Sequence, residues 1–142
     1  MELQEEIKKF ISENRVATVC FSGKDNVPHC INCLYAYDAE TNTIWIKSSA
    51  KTEHDELVNT GEKVAGTILP EQFNIMRIQG VQFKGLILKA SMSDFKISQL
   101  YYFKYPIGLA MPGYIWGVKL EEIKYSDTVN GFPNKSKWKV EK

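Results

Sequence analysis

The stretch Ile44-Trp-Ile-Lys-Ser-Ser-Ala-Lys-Thr-Glu-His-Asp-Glu-Leu57 combines a strand with the start of a helix, and the rest of the chain can be arranged around it. Its first three residues are β-branched or aromatic, which favours a strand. The helical pattern begins at Asp55. Backbone N–H groups at a helix start have no partner within the helix, and the helix dipole adds partial positive charge there. The hydroxyls of Ser49 and Thr52 and the ammonium of Lys51 therefore predict a phosphate site.

The same residues also fit a simpler role. Thr52 or Ser49 would then be an ordinary helix cap, and Lys51 a solvated charge. His54 lies in the first helical turn, where a histidine can donate a hydrogen bond to an anion. Without an anion, a positive charge at that end is disfavoured by the dipole. The stretch by itself leaves both interpretations open.

Length and composition describe one domain. The chain has 142 residues, of which 44% are hydrophobic and 25% charged, enough for a substantial core. A net charge of +1 gives no electrostatic case for nucleic acid as a partner. No apolar run has the length of a membrane span, and the acidic start lacks the apolar stretch of a signal peptide. We therefore expect a single cytoplasmic domain over residues 1–142, with no membrane partner.

The cysteines Cys20, Cys30 and Cys33 are an odd set for a disulfide framework. We expect reduced and mostly buried thiols. Cys30 and Cys33 form a C-x-x-C pair, but residues three apart in a strand face opposite sides. The sequence has no second pair of metal-ligand type, so this pattern does not favour a metal site.

Alternating apolar residues and turn chemistry predict a chain with more strand than helix. Helices are expected over 3–14, after residue 55 and over 94–104, and strands over 15–22, 27–37, 43–47, 63–69, 73–91 and 115–125. The long strand region has glycines at positions 80 and 85, which predict a bend or bulge. Residues 105–114 are predicted to be a loop, and residues 126–142 to be polar and irregular. Short strands with a few helices indicate a small barrel with helices packed outside.

The segment Gly80-Val-Gln-Phe-Lys-Gly85 alternates polar and apolar residues. Gln82 and Lys84 should face one side of the strand, and Val81 and Phe83 the other. One of these faces belongs to the core. The other presents an amide and an ammonium either to a ligand or to water.

Several segments carry a resemblance when their order and spacing are taken together. They are Arg15–Val19, Pro28–His29, Leu34–Tyr37, Ile44–Ile46, Lys51–His54, Val64–Thr67, Gly80–Gly85, Leu120–Tyr125 and Gly131–Phe132. In these segments the chain resembles the FMN-binding split barrels related to pyridoxamine-5′-phosphate oxidase, and more closely a small uncharacterised bacterial subgroup of that superfamily. The resemblance covers nearly the whole chain. It implies a mainly β (α+β) fold, a six-stranded antiparallel split β-barrel with Greek-key character and a few flanking helices.

The resemblance also implies a homodimer with two FMN sites at the subunit interface. The phosphate would sit at the turn after the third strand, and strand two would pass alongside the flavin ring. The cofactor-binding residues implied in this way are Asn32, Ser48, Ser49, Lys51, Thr52, His54 and Gln82. The aromatic residues near the loop at 105–114, with Trp116 and Trp138, would complete the pocket from the partner chain. No catalytic side chain is assigned, because in such sites the flavin ring carries the chemistry.

The chain departs from the family pattern at two places. Glu53 stands where members that bind flavin well carry a cation, and the last predicted strand has no Arg-Leu-x-Pro sequence. The second departure argues against pyridoxamine phosphate as the substrate. Two functions therefore stay open: a flavin-dependent oxidoreductase of unknown substrate, or a non-catalytic ligand-binding or interaction protein on the same barrel that no longer holds FMN.

Overall fold

The computed structural model describes residues 2–23, 26–49, 52, 55–59, 63–89, 94–129 and 132–141. Within these ranges the helices are α1 (Glu5–Glu13), α2 (Asp55–Asn59), α3 (Phe95–Lys104) and a 3-10 helix (Pro106–Ala110). The carboxylate of Asp94 accepts a hydrogen bond from the Ile97 backbone N–H and caps α3, as the sequence predicts. None of these helices is long and apolar enough to cross a membrane.

The strands of the described residues form one antiparallel sheet that closes on itself. They are β1 (Val16–Ser22), β2 (Pro28–Asp38), β3 (Thr43–Ser48), β4 (Lys63–Ile68), β5 (Gln79–Lys89), β6 (Tyr114–Val129) and β7 (Phe132–Lys139). Their order in the sheet is β3-β2-β1-β4-β5-β6-β7, and a further pairing of β3 with β6 closes a six-stranded barrel. The predicted six-stranded antiparallel split barrel is confirmed.

The split in the barrel follows from the different lengths of the strands. Strand β2 pairs with β3 only from Tyr35 to Asp38, whereas its first half pairs with β1 alone. The first half of β6 pairs with β3, and its second half, from Glu122 onward, pairs with β7. Strand β7 is thus added beside the closed barrel rather than forming part of its wall.

The barrel interior is filled by alternate residues of its strands and closed by α1. Ile7, Phe10 and Ile11 of α1 are buried against this core. Burying each such side chain contributes about 1.5–3 kcal/mol to the stability of the fold. The buried Tyr35 hydroxyl donates to the Ile11 carbonyl over 2.7 Å, which links β2 to the end of α1.

A second, smaller core lies under α3. It consists of buried Ala36, Trp45 and Tyr101, with partly buried neighbours from α3. The Lys47 ammonium donates to the Tyr102 hydroxyl at 2.8 Å and to the Gly108 carbonyl at 2.7 Å. These contacts fix α3 and the 3-10 helix to the outside of the barrel.

The predicted bulge in β5 is confirmed by a register shift between Lys84 and Gly85. A Cβ atom at Gly85 would lie 2.4 Å from the Lys119 carbonyl oxygen, so only glycine allows this approach of β5 to β6. The predicted start of that strand was wrong. Residues 73–78 form an exposed loop with one isolated bridge, Asn74 to Arg77, and β5 begins at Gln79.

The predicted irregular C-terminus was also wrong. Strand β6 continues to Val129, and β7 follows it over Phe132–Lys139. The segment has lysines at positions 135, 137 and 139 and a proline at 133, a composition that belongs to an edge strand. The predicted loop at 105–114 contains the 3-10 helix, which begins at Pro106.

Candidate functional site

The outward-facing residues of the barrel form rows that run across neighbouring strands. The register places Thr18 opposite Asn32 on β2 and opposite Thr67 on β4, and Thr67 opposite Gln82 on β5. All four side chains point outward, because their neighbours along each strand are buried in the barrel or, beside Asn32, partly buried against its core. We call Asn32, Thr18, Thr67 and Gln82 the outer polar row.

The outer polar row is partly ordered by its own contacts. The Thr18 hydroxyl donates to the Asn32 side-chain oxygen over 2.6 Å. The Gln82 side chain makes no hydrogen bond with any other residue that the structure describes. Its amide can donate and accept, so it is available to a ligand at no cost to the fold.

Two grooves meet along the outer polar row. One has a volume of about 930 Å³ and is lined by Thr67, Gln82, Lys124, Lys137 and Trp138, among others. The second has about 670 Å³ and also includes Thr67, together with Thr18, Asn32, Val16, Leu34 and Leu69. Volumes of this size are typical of small-molecule sites. Asn32 and Gln82, which the resemblance pairs in one site, therefore do lie on the same face.

The end of β3 holds the predicted phosphate residues that the structure describes. Ser48 is buried, and its Oγ accepts a hydrogen bond from the Trp116 indole over 2.8 Å. Ser49 is exposed. The Thr52 hydroxyl donates to the Ser49 carbonyl at 3.2 Å, so Thr52 and Ser49 are neighbours in the turn. Because Ser48 is buried, Ser49 and Thr52 have the more accessible hydroxyls of this corner.

The corner is connected to helix α2 by a hydrogen bond from the Tyr114 hydroxyl to the Asp55 carboxylate. Burial, and after it this carboxylate, raises the pKa of Tyr114, so the phenol keeps its proton and remains a donor. The Asp55 N–H donates to the Thr52 carbonyl at 3.1 Å. These bonds connect Thr52 to the start of α2 and α2 to β6.

Lys51 and His54 themselves lie outside the described residues, as does Glu53. Their assignment to phosphate binding therefore stays a prediction. The assignments of Ser48, Ser49, Thr52, Asn32 and Gln82 also stay predictions. Among the residues that the structure describes, no hydrogen bond joins the outer polar row to the corner at the end of β3.

One aromatic assignment was wrong. Trp116 is fully buried in the barrel core, where it packs against Phe21, so it cannot reach the pocket of a partner chain. Trp138 on β7 is only partly buried and does line the larger groove. Of the aromatic residues near the loop, Tyr101 is buried and Phe103 is 91% exposed.

The cysteines also differ from the expectation. Cys33 packs against the core, and burial raises its pKa to about 12. Cys30 is exposed, so the expectation of mostly buried thiols was wrong for it. The two residues do face opposite sides of β2, as their spacing predicts. Among the described residues, no group of three or more metal-ligand side chains comes together.

Sequence reasoning did not find Thr18 and Thr67 in the outer polar row, or the pairing of Cys20 with Cys30. Each is an outward residue on a strand whose alternation is visible in the sequence. The missing information was the register, because only strand pairing places Thr18 and Thr67 between Asn32 and Gln82.

The fold defines the class of protein first. A solved protein of the pyridoxinephosphate oxidase family from Clostridium acetobutylicum has a TM-score of 0.67 to this chain, at 15% identity. The match covers 95% of this chain and 92% of that protein. An FAD-binding protein from Mesorhizobium loti has a TM-score of 0.71 at 16% identity, covering 89% and 96%. The fold is therefore that of the split barrels related to pyridoxamine phosphate oxidase.

The sequence comparison then gives the family. A UPF0306 protein from Serratia proteamaculans is 33% identical over 138 residues, which is 96% of this chain and 95% of that protein. A UPF0306 protein from Photorhabdus laumondii is 32% identical over 133 residues, or 93% and 92%. No family model matches the chain. This chain belongs to the UPF0306 family, an uncharacterised group of bacterial proteins.

Proposed function

We propose that this protein is a cytoplasmic homodimer that binds FMN along the outer polar row and acts as a flavin-dependent oxidoreductase on a substrate yet to be identified. The observation that carries the proposal is the outer polar row itself. Its amide side chains, Asn32 and Gln82, lie on one exposed face, above grooves of about 930 and 670 Å³. A flavin ring has hydrogen-bond donors and acceptors along its edge, and amides can match both.

The phosphate of FMN would be held at the end of β3. Ser49 and Thr52 offer hydroxyls there, and Lys51 and His54 add charge-assisted donors. Bonds of this kind are stronger than neutral ones, so this corner would supply most of the discrimination for a phosphorylated flavin.

When bound, the flavin would supply hydride or electron transfer, and the chain would bind it, orient it and exclude water. Gln82 and Asn32 would fix the position of the ring by hydrogen bonds. Trp138 and the stems of Lys124 and Lys137 line the larger groove and would shield one side of the ligand.

The dimer would form through the apolar side of the same face. The apolar side chains along one side of the outer polar row are exposed: 43% for Val16, 47% for Leu34 and 57% for Leu69. The neighbouring loop adds Ile75 and Met76, which are 76% and 80% exposed. A second copy seated on this surface would bury apolar groups that are otherwise in water.

The test is a flavin titration of the purified protein, followed by absorbance and by flavin fluorescence. We expect saturable FMN binding, and we expect Gln82→Ala to weaken it by about 0.5–1.5 kcal/mol, the usual net contribution of one neutral hydrogen bond. Gln99→Ala, an exposed glutamine on α3, is the matched control and should bind like the unmodified chain. Equal binding by both variants would remove Gln82 from the site.

A non-catalytic ligand-binding protein on the same barrel is the second candidate. It is favoured by the carboxylate of Glu53 in the predicted phosphate turn and by the engagement of the Ser48 hydroxyl with Trp116. One solved neighbour, with a TM-score of 0.75 at 10% identity, is a heme binding protein from Mycobacterium smegmatis. The absorption spectrum distinguishes the candidates, because a protein that ignores added FMN but binds another chromophore supports the second.

A further inference from the structure

Two cysteines of the outer face are direct partners across a strand pair. The register of β1 and β2 places Cys20 opposite Cys30, and their Sγ atoms are 2.8 Å apart. Cys30 is exposed and Cys20 is half-buried. Both thiols are free, and the flavin site described above does not require either of them.

The backbone already satisfies the geometry of a disulfide. Residues directly opposite each other in an antiparallel pair have Cα atoms about 4.5–5.5 Å apart. This lies within the range of about 4.4–6.8 Å that disulfides need. A bonded pair has its sulfurs about 2.05 Å apart, so closure from 2.8 Å requires a movement of under about 1 Å.

We propose that Cys20 and Cys30 form a reversible redox pair that closes to an intramolecular disulfide when it meets a low-molecular-weight disulfide. The proposal concerns the thiols alone and does not depend on flavin binding. In a reducing compartment the pair would be held as two thiols, and a rise in disulfide concentration would close it.

The reaction has two balanced steps. The Cys30 thiolate attacks one sulfur of the small disulfide, forms a mixed disulfide and releases one small thiolate. The Cys20 sulfur, having lost its proton to solvent, then attacks Sγ of Cys30 and expels the second small thiolate. Overall, the two protein thiols are oxidised to one disulfide, and the small disulfide is reduced to two thiols.

The environments of the two sulfurs assign the order of these steps. Cys30 is exposed and meets a dissolved oxidant first. Burial first, and then the neighbouring Cys30 sulfur, raises the pKa of Cys20 to about 11, so Cys20 is the slower nucleophile and the resolving thiol. Closure should therefore accelerate as the pH rises from neutral toward that value.

The third cysteine is an internal control. Cys33 faces the core on the other side of β2, and burial raises its pKa to about 12. It should not react in the folded protein. Because Cys20 also lines the larger groove, the disulfide would form at the border of that groove.

The experiment treats the full chain with glutathione disulfide, traps the remaining thiols with an alkylating agent under denaturing conditions, and measures the intact mass. We expect the count of free thiols to fall from three to one, with the loss of two hydrogen atoms and no added glutathione. Peptide mapping should show a bridge between Cys20 and Cys30, and dithiothreitol should restore all three thiols. The protein is tested both as purified and after removal of any flavin, with the same result expected.

Two variants assign the roles. Cys33→Ser should still close the bridge, whereas Cys20→Ser should stop at a stable mixed disulfide on Cys30. The proposal is overturned if the unmodified chain keeps three thiols, if it ends as a stable glutathione adduct, or if it forms disulfides between chains. The unmodified chain and Cys33→Ser decide the question even if Cys20→Ser fails to fold.

Discussion

Ser48 and Ser49 are adjacent in the chain but lie in different environments. The Ser48 hydroxyl is buried and accepts a hydrogen bond from the indole N–H of Trp116. Trp116 is fully buried, so its N–H has no contact with water. Ser49 is exposed at the end of the same strand. A buried donor that loses its acceptor costs about 1–3 kcal/mol, so Ser48 has a structural role whether or not it touches phosphate.

Ser48→Ala should therefore lower the free energy of unfolding by about 1–3 kcal/mol, measured by urea denaturation without flavin. Ser49→Ala should change it by less than about 0.5 kcal/mol, since the residue is on the surface, but should weaken FMN binding. Equal stabilities for the two variants would mean that the Trp116 N–H finds another acceptor.

The site was predictable at this scale only in part. Alternation within β5 places Gln82 on the opposite side from Val81 and Phe83, and the structure agrees. Nothing in the sequence shows that the Ser48 hydroxyl meets Trp116, because the two residues are 68 positions apart. Side-chain pairing across distant strands depends on a register that the local sequence does not encode.

The exposed loop before β5 is fixed to β6 by one ion pair. Arg77 donates to both carboxylate oxygens of Asp127, with distances of 3.0 and 2.8 Å. Asp127 is 8% exposed, and the Arg77 side chain is 53% exposed. The hydrogen bonds from Arg77 hold the pKa of Asp127 below its ordinary value.

Asp127→Asn should cost about 1 kcal/mol of stability at neutral pH, a value below that of a fully buried charged bond because water screens Arg77. A lowered native pKa adds stability above the unfolded-state pKa of the carboxyl, and this is lost as the pH falls through the native value. The difference in the free energy of unfolding between the unmodified chain and Asp127→Asn should therefore become smaller in acid. Urea unfolding at a series of pH values measures it.

Glu40→Gln is the matched control, since Glu40 pairs with Lys96 at 3.0 Å but both side chains are more than three-quarters exposed. It should change stability by less than about 0.5 kcal/mol at any pH. If the loss of unfolding free energy in Asp127→Asn does not depend on pH, the charge of Asp127 is not what stabilises its contact with Arg77.

Most strands were predictable as elements, because β1 and β4 alternate strictly between buried and outward residues. Strand β7 was not, since its lysines and proline indicate a polar tail when the segment is considered alone. It is a strand because β6 is long enough to extend beyond β3 and offer a free edge. Tertiary context decided the outcome against local propensity.

The outer face as a whole is divided into three parallel rows. The outer polar row lies in the middle, with Val16, Leu34 and Leu69 on one side and the pair Cys20 and Cys30 on the other. Each row is two residues along the strands from the next row, because every second residue of a strand faces outward. The apolar residues line the smaller groove and Cys20 lines the larger one, so the proposed dimer contact and the redox pair border the ligand grooves on opposite sides of the outer polar row.

Leu34→Glu should convert the proposed dimer into a monomer, because it would bury a charge in the contact without a partner. Sedimentation velocity measures the result directly. Phe103→Glu, on the exposed side of α3, is the control and should remain dimeric. A dimeric Leu34→Glu variant would place the contact elsewhere.

The most direct test of the account compares the affinities of FMN and riboflavin, which differ only in the phosphate, for the unmodified chain and for Lys51→Ala. We expect one FMN per chain, riboflavin binding at least about tenfold weaker, and a loss of about 1.5–3 kcal/mol for FMN in Lys51→Ala. Riboflavin binding should be the same in both proteins, and Lys9→Ala on α1 should behave like the unmodified chain. If the unmodified chain binds FMN no better than riboflavin, or if Lys51→Ala binds FMN unchanged, the end of β3 is not a phosphate site and the assignment of this protein as an FMN protein is contradicted.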